Sequence, residues 1–148
     1  NALLDYYGGD GPSRAKMATF IRTHLVADAS GVTDEVIDGR YRDSIDPEVV
    51  ANPPLRRPSG KNALRTLLRM DLSRDPRLAT CKVPTLVVWG TRDTINRPSG
   101  APLLAHTMRH CDAYLAAGVG HWVQYEAPEL FNQIAVDFLS RTDRGAPR

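Results

Sequence analysis

The chain has 148 residues, 19 Lys and Arg against 17 Asp and Glu for a net charge of +2, and 42% hydrophobic residues. This is the profile of a single ordinary globular domain and disfavours both membrane insertion and disorder. The charges are interspersed Arg and Asp rather than a basic stripe, which argues against nucleic-acid binding. Cys81 and Cys111 stand apart from any second Cys or His at metal-ligand spacing. Such a pair makes no disulfide framework and reads as reduced thiols in a cytoplasmic protein.

Residues 13–27 carry Met17, Phe20, Ile21 and Leu25 at helical spacing, with Pro12 and Ser13 as start signals, so a first amphipathic helix is expected there. Thr33 precedes Asp34 and Glu35, an N-cap with acids in the first turn. Val36, Ile37 and Tyr41 continue an apolar face, which predicts a second helix ending near Asp46, before Pro47. Tandem prolines, Pro58 and Gly60 mark 52–60 as a loop or hinge. Ala63, Leu64, Leu67, Leu68 and Leu72 define a third helix. The first half therefore reads as helical, with no strand.

The second half changes period. The run from Pro84 to Trp89, closed by Gly90, suits a parallel strand buried on both faces. A helix over about 101–109 follows, then a short strand over 113–116 and the turn Gly118-Val119-Gly120. Strand, helix and strand make a crossover unit of a parallel sheet. Pro128 opens a last helix with Leu130, Phe131, Ile134, Ala135, Phe138 and Leu139 on one face, and a polar, frayed tail is expected from Thr142. Two strands do not complete a parallel sheet, so the remaining strands are expected from a missing N-terminal half. The start at Asn1, without an initiator Met or a secretory apolar region, agrees with a fragment or processed half.

Asp93 and His121 each lie on a loop just past a strand, and each is followed by a helical segment. Singly, Asp93 reads as a turn-capping aspartate and His121 as a satisfied loop histidine. Together, in this order, they suit an acid and a base: a base must reach the hydroxyl it deprotonates, and a buried carboxylate fixes its tautomer. The stretch Val83-Pro84-Thr85-Leu86-Val87-Val88-Trp89-Gly90-Thr91-Arg92-Asp93, then Gly118-Val119-Gly120-His121-Trp122, then Glu126-Ala127-Pro128-Glu129-Leu130-Phe131, resembles the C-terminal part of α/β-hydrolases. The resemblance implies an α/β fold in which Asp93 is the triad acid and His121 the general base. In that fold the nucleophile comes first along the chain, on a Gly-x-Ser-x-Gly turn. No such turn occurs in these residues, so the resemblance places the serine before Asn1.

Within that superfamily, Gly120-His121-Trp122-Val123-Gln124, the pair Phe131-Asn132, and Val32-Thr33-Asp34-Glu35 leading to Gly39-Arg40-Tyr41 resemble the meta-cleavage product hydrolases. Those enzymes cleave a carbon–carbon bond in 2-hydroxy-6-oxo-dienoates formed by ring-opening of catechols. The likeness implies a helical cap over 1–76, the end of the core domain over 77–148, and a hydrophobic carboxylate substrate. It also assigns Arg40 to the substrate's carboxylate and oxo end, and Trp122 to shaping the site. A guanidinium can hold both oxygens as a bidentate partner while charge moves, although most helical arginines are simply solvated.

The remaining candidates are weaker. His24 reads as a partly buried packing residue, and Met17, Phe20 and Ile21 as core rather than pocket lining. His106 and His110, one turn apart, lack the third ligand a zinc hydrolase requires. The expectations are therefore a cytoplasmic hydrolase, a homo-oligomer, with no metal or cofactor and no nucleic-acid or membrane partner, active only with a companion N-terminal segment. An esterase, lactonase or epoxide hydrolase of the same fold, or a catalytically dead binding protein, are the alternatives. The residue at the nucleophile turn separates them: Ser for hydrolysis, Asp for dehalogenase or epoxide chemistry, Ala or Gly for a binder.

Overall fold

A computed structural model of the chain describes residues 5–53, 60–69, 71 and 75–143. Helix α1 (Arg14–Phe20) is capped by Ser13, whose hydroxyl accepts from the Lys16 amide, and runs on into a π-helical turn, Ile21–Leu25. A 3-10 turn (Ala29–Gly31) leads to α2 (Asp34–Ser44), capped by Thr33 accepting from the Val36 amide. Both caps are those the sequence predicts.

The second helix ends at Ser44, before Pro47 as expected, and a further short helix not foreseen from the sequence begins at Pro47. Asp46 caps a short α3 (Pro47–Ala51), because a proline in the first turn lacks an N–H that would have no partner there anyway. The expected hinge over 52–60 falls largely outside the described residues, as does Leu72. The third predicted helix is α4 (Ala63–Arg69), with Leu64 and Leu68 exposed.

Strands β1 (Thr85–Gly90) and β2 (Cys111–Ala116) pair in parallel, Thr85 opposite Cys111 and Gly90 opposite Ala116, with α5 (Gly100–Thr107) between them in sequence and packed on both. The second strand starts two residues earlier than its pattern suggests. β1 is half-buried rather than buried on both faces, since a two-stranded sheet leaves much of each face open. A one-turn helix α6 (Val123–Glu126), not foreseen from the sequence, precedes α7 (Pro128–Asp143), which Arg141 ties to Asp112 on β2 at 3.0 Å. Among the described residues no helix is long and apolar enough to cross a membrane.

The main core sits where the helical segment meets the loops that follow the strands. Tyr6, Met17, Ile21, Leu25, Val26, Val32 and Ile37 form the buried cluster, and Ile95, Trp122 and Tyr125 from the second half pack against it. Burial of this kind stabilises each large side chain by roughly 1.5–3 kcal/mol, so the same contacts that stabilise the fold also hold the two post-strand loops in place.

Candidate active site

Both loops leave the C-terminal ends of the parallel strands, where α/β sheets place their ligands. They are tied to each other: the Arg92 amide donates to the Val119 carbonyl at 2.8 Å, and the Gly118 amide to Thr91 Oγ1 at 2.9 Å. The approach is close enough to demand glycine, since a Cβ on Gly90 would lie 2.0 Å from the Gly120 carbonyl oxygen.

This proximity brings Asp93 to His121. The Asp93 side chain is only 3% exposed, and a carboxylate so far from water needs donors on both oxygens. Oδ1 accepts from the amides of Ile95 (2.8 Å) and Asn96 (2.9 Å), and Oδ2 stands 2.8 Å from His121 Nδ1. An ionised carboxylate only accepts, so Nδ1 carries the proton of that bond and Nε2 of a neutral ring is the acceptor. His121 itself is about a third exposed.

His121 forms part of the wall of a cavity of about 490 Å³. Met17, Phe20 and Leu25 from the first helical run line it, as do Val49 and Ile95, and Arg40, Asp43 and Ser44 on α2 and Trp122 beside the histidine add polarity. The Arg40 guanidinium lies over the Trp122 ring, 5.0 Å from its centroid. At a solvated site such stacking is worth about 0.5–1 kcal/mol, enough to bias where the side chain rests. Tyr6, also on the wall, donates at 2.7 Å to Ser44 Oγ, which in turn donates at 2.6 Å to the Tyr41 carbonyl. Burial pushes the Tyr6 phenol above its ordinary pKa, so it stays a donor.

No family model matches the chain. Among curated proteins it is 30% identical over 119 residues to a 2-hydroxy-6-oxononadienedioate/2-hydroxy-6-oxononatrienedioate hydrolase of Paraburkholderia xenovorans, covering 78% of this chain and 38% of the relative. It is 32% identical over 117 residues to a 2-hydroxy-6-oxo-6-phenylhexa-2,4-dienoate hydrolase of Burkholderia cepacia, covering 76% and 37%. Among solved structures, a meta-cleavage product hydrolase from Pseudomonas fluorescens superposes with a TM-score of 0.73 at 26% identity, over 95% of this chain and 50% of that one. The fold is that of the C-terminal part of an α/β-hydrolase. The chain spans less than half the length of the curated relatives it matches.

In this α/β-hydrolase fold the four residues singled out from sequence meet at one place: Asp93 on His121, and Arg40 and Trp122 on the wall His121 shares. Met17 and Ile21 belong to the buried core and Phe20 packs against it, as expected of that stripe, while Met17 and Phe20 also present a side to the cavity. His24 is half-buried beside Phe20, its carbonyl accepting from Thr94 Oγ1 at 3.3 Å. His106 is exposed on α5 while His110 lies past the end of that helix, so the two do not share a helical face. Among the described residues no cluster of His, Cys, Asp and Glu has the makings of a metal site. Cys81 and Cys111 are half-buried thiols.

The residue that sequence reasoning passed over is Glu126. Its Oε2 accepts from the Gly120 amide at 2.7 Å, and its Oε1 from the amides of Ala27 (2.7 Å) and Asp28 (3.2 Å). Nothing in the local pattern announces bonds that span nearly a hundred residues.

Proposed function

We propose that this chain supplies the acid, the base and the anion anchor of a carbon–carbon hydrolase acting on 2-hydroxy-6-oxo-dienoates. Residues 1–76 act as a helical cap and 77–148 as the end of the core, and a serine nucleophile outside these 148 residues completes the triad. The observation that carries the reading is the convergence of Arg40 with Trp122 and the Asp93–His121 pair on a largely apolar cavity.

The substrate class explains each group. A dienol carboxylate offers an anionic end for a bidentate guanidinium, and Arg40 anchors it while drawing charge toward the oxo group as the dienol becomes the ketone. His121 takes the serine proton through Nε2 as the serine oxygen attacks the remote carbonyl, and Asp93 stabilises the imidazolium that results. Collapse breaks the carbon–carbon bond. The dienoate leaves with a proton delivered to its carbon, and water then releases the acyl group from serine as the acid. The apolar wall of Met17, Phe20, Leu25, Val49 and Ile95 keeps bulk water from the reacting atoms.

An ester as the natural substrate is the second reading, since the same acid and base serve any acyl transfer. The test is turnover of 2-hydroxy-6-oxo-6-phenylhexa-2,4-dienoate by the active protein, followed by loss of dienolate absorbance, beside a neutral aryl ester. The proposal expects kcat/KM for the dienoate to exceed that for the ester. Ester hydrolysis with no dienoate turnover would overturn the carbon–carbon reading and leave an esterase.

A further inference from the structure

We propose that Glu126 is a positioning residue that locks the histidine loop to the root of the arginine-bearing helical segment, so that base and anion anchor are held as one body. The inference rests on the function proposed above for what the two groups do, and on the hydrogen bonds alone for how they are held.

The geometry is that of a clasp. One carboxylate oxygen takes the amide of Gly120, the residue immediately before His121. The other takes the amides of Ala27 and Asp28, which lie in the stretch joining the cavity-lining Phe20 and Leu25 to α2 and Arg40. Three donors thus converge on a group that only accepts, which is the chemistry of a carboxylate and of no other side chain of this size. Bonds to a charged acceptor are roughly twice as strong as neutral ones.

Neighbouring contacts run along the same seam. The Trp122 amide donates to the Leu25 carbonyl at 2.8 Å, and Tyr125 Oη to the Gly31 carbonyl at 2.7 Å. Gly120 is packed so tightly here that a Cβ on it would lie 2.6 Å from the Ala27 nitrogen and 2.8 Å from Glu126 Oε2. The seam therefore sets the distance between the histidine loop and the helical segment, and Glu126 is its charged member.

An amide in place of the carboxylate breaks the clasp while keeping its shape. Glu126→Gln has one oxygen and one NH2 group, so whichever way it turns, one side of the seam meets a donor with a donor. In the active protein, nucleophile included, kcat per site titrated with a fluorophosphonate falls about 10- to 100-fold on both a neutral aryl ester and the anionic dienoate, because the base is misplaced. KM rises for the dienoate only, because Arg40 is loosened, and that rise disappears in an Arg40→Ala background. Amide exchange in the unaltered protein gives a reading independent of any variant's folding: the Ala27, Asp28 and Gly120 amides exchange slowly, and they quicken in Glu126→Gln.

Fast exchange of those three amides in the unaltered protein would overturn the clasp. So would a Glu126→Gln protein that loses melting temperature and titratable fraction yet keeps kcat per site and both KM values, since that marks a merely structural residue. Should the unaltered protein hydrolyse the ester and not the dienoate, the carbon–carbon reading fails alone, and the ester kcat of Glu126→Gln still decides the role of Glu126.

Discussion

Asp93 is held more firmly than its partner. Its side chain is 3% exposed and accepts two backbone amides on one oxygen, so the second oxygen has a fixed direction in which to meet His121 at 2.8 Å. An asparagine there keeps the oxygen for the Ile95 and Asn96 amides and turns an NH2 group toward the histidine. His121 Nδ1 must then accept, the proton moves to Nε2, and the ring loses its ability to take a proton from a hydroxyl. Asp93→Asn is therefore expected to lower kcat by about a thousand-fold or more while the melting temperature changes little. A loss of less than tenfold, measured on the same ester as the unaltered protein, would mean that the carboxylate only shapes the turn. Arg40 is the opposite kind of residue, exposed and steered by a stacking contact, as suits the anion-anchoring role proposed for it.

At the scale of elements, the site is a product of how two parallel strands end. The Gly90 position allows the Gly120 carbonyl to sit against β1, and that contact is what brings the two loops within hydrogen-bond reach. Gly90→Ala forces a Cβ into a backbone oxygen at 2.0 Å, where nothing flexible can yield. Overpacking of this sort costs about 3 kcal/mol, so a clear fall in the denaturation midpoint is expected together with loss of activity. An unchanged midpoint would show that the loops can part without cost. Much of this was legible in the sequence, because the β-rich run closed by Gly90, the Gly118-Val119-Gly120 turn and the caps Ser13 and Thr33 are local signals. What escaped was non-local or too short to have a period. The second helix does stop before Pro47, but the five-residue α3 that Asp46 caps is too short to show a period, α6 is a single turn, and the clasp of Glu126 joins residues far apart in the chain. The reading of β1 as buried on both faces assumed a complete sheet around it, whereas its burial depends on how many neighbours it has.

For the whole molecule, the helical segment and the strand-bearing segment are joined by one core, and the candidate site lies on their seam. Ile21 and Ile37, both fully buried, belong to the same cluster against which Trp122, Tyr125 and Ile95 pack. His121 and Arg40, the proposed base and anion anchor, thus come from different halves of the chain yet rest on shared apolar contacts and on the bonds around Glu126. The central claim is that the two halves together make a site selective for an anionic dienoate. Arg40→Ala tests it most directly when kcat/KM is measured for the dienoate and for a neutral aryl ester in the same protein. Losing a charge-assisted contact of about 1.5–3 kcal/mol predicts a fall of about 10- to 100-fold for the dienoate and less than about threefold for the ester. An equal fall in both would make Arg40 a structural residue and contradict the account.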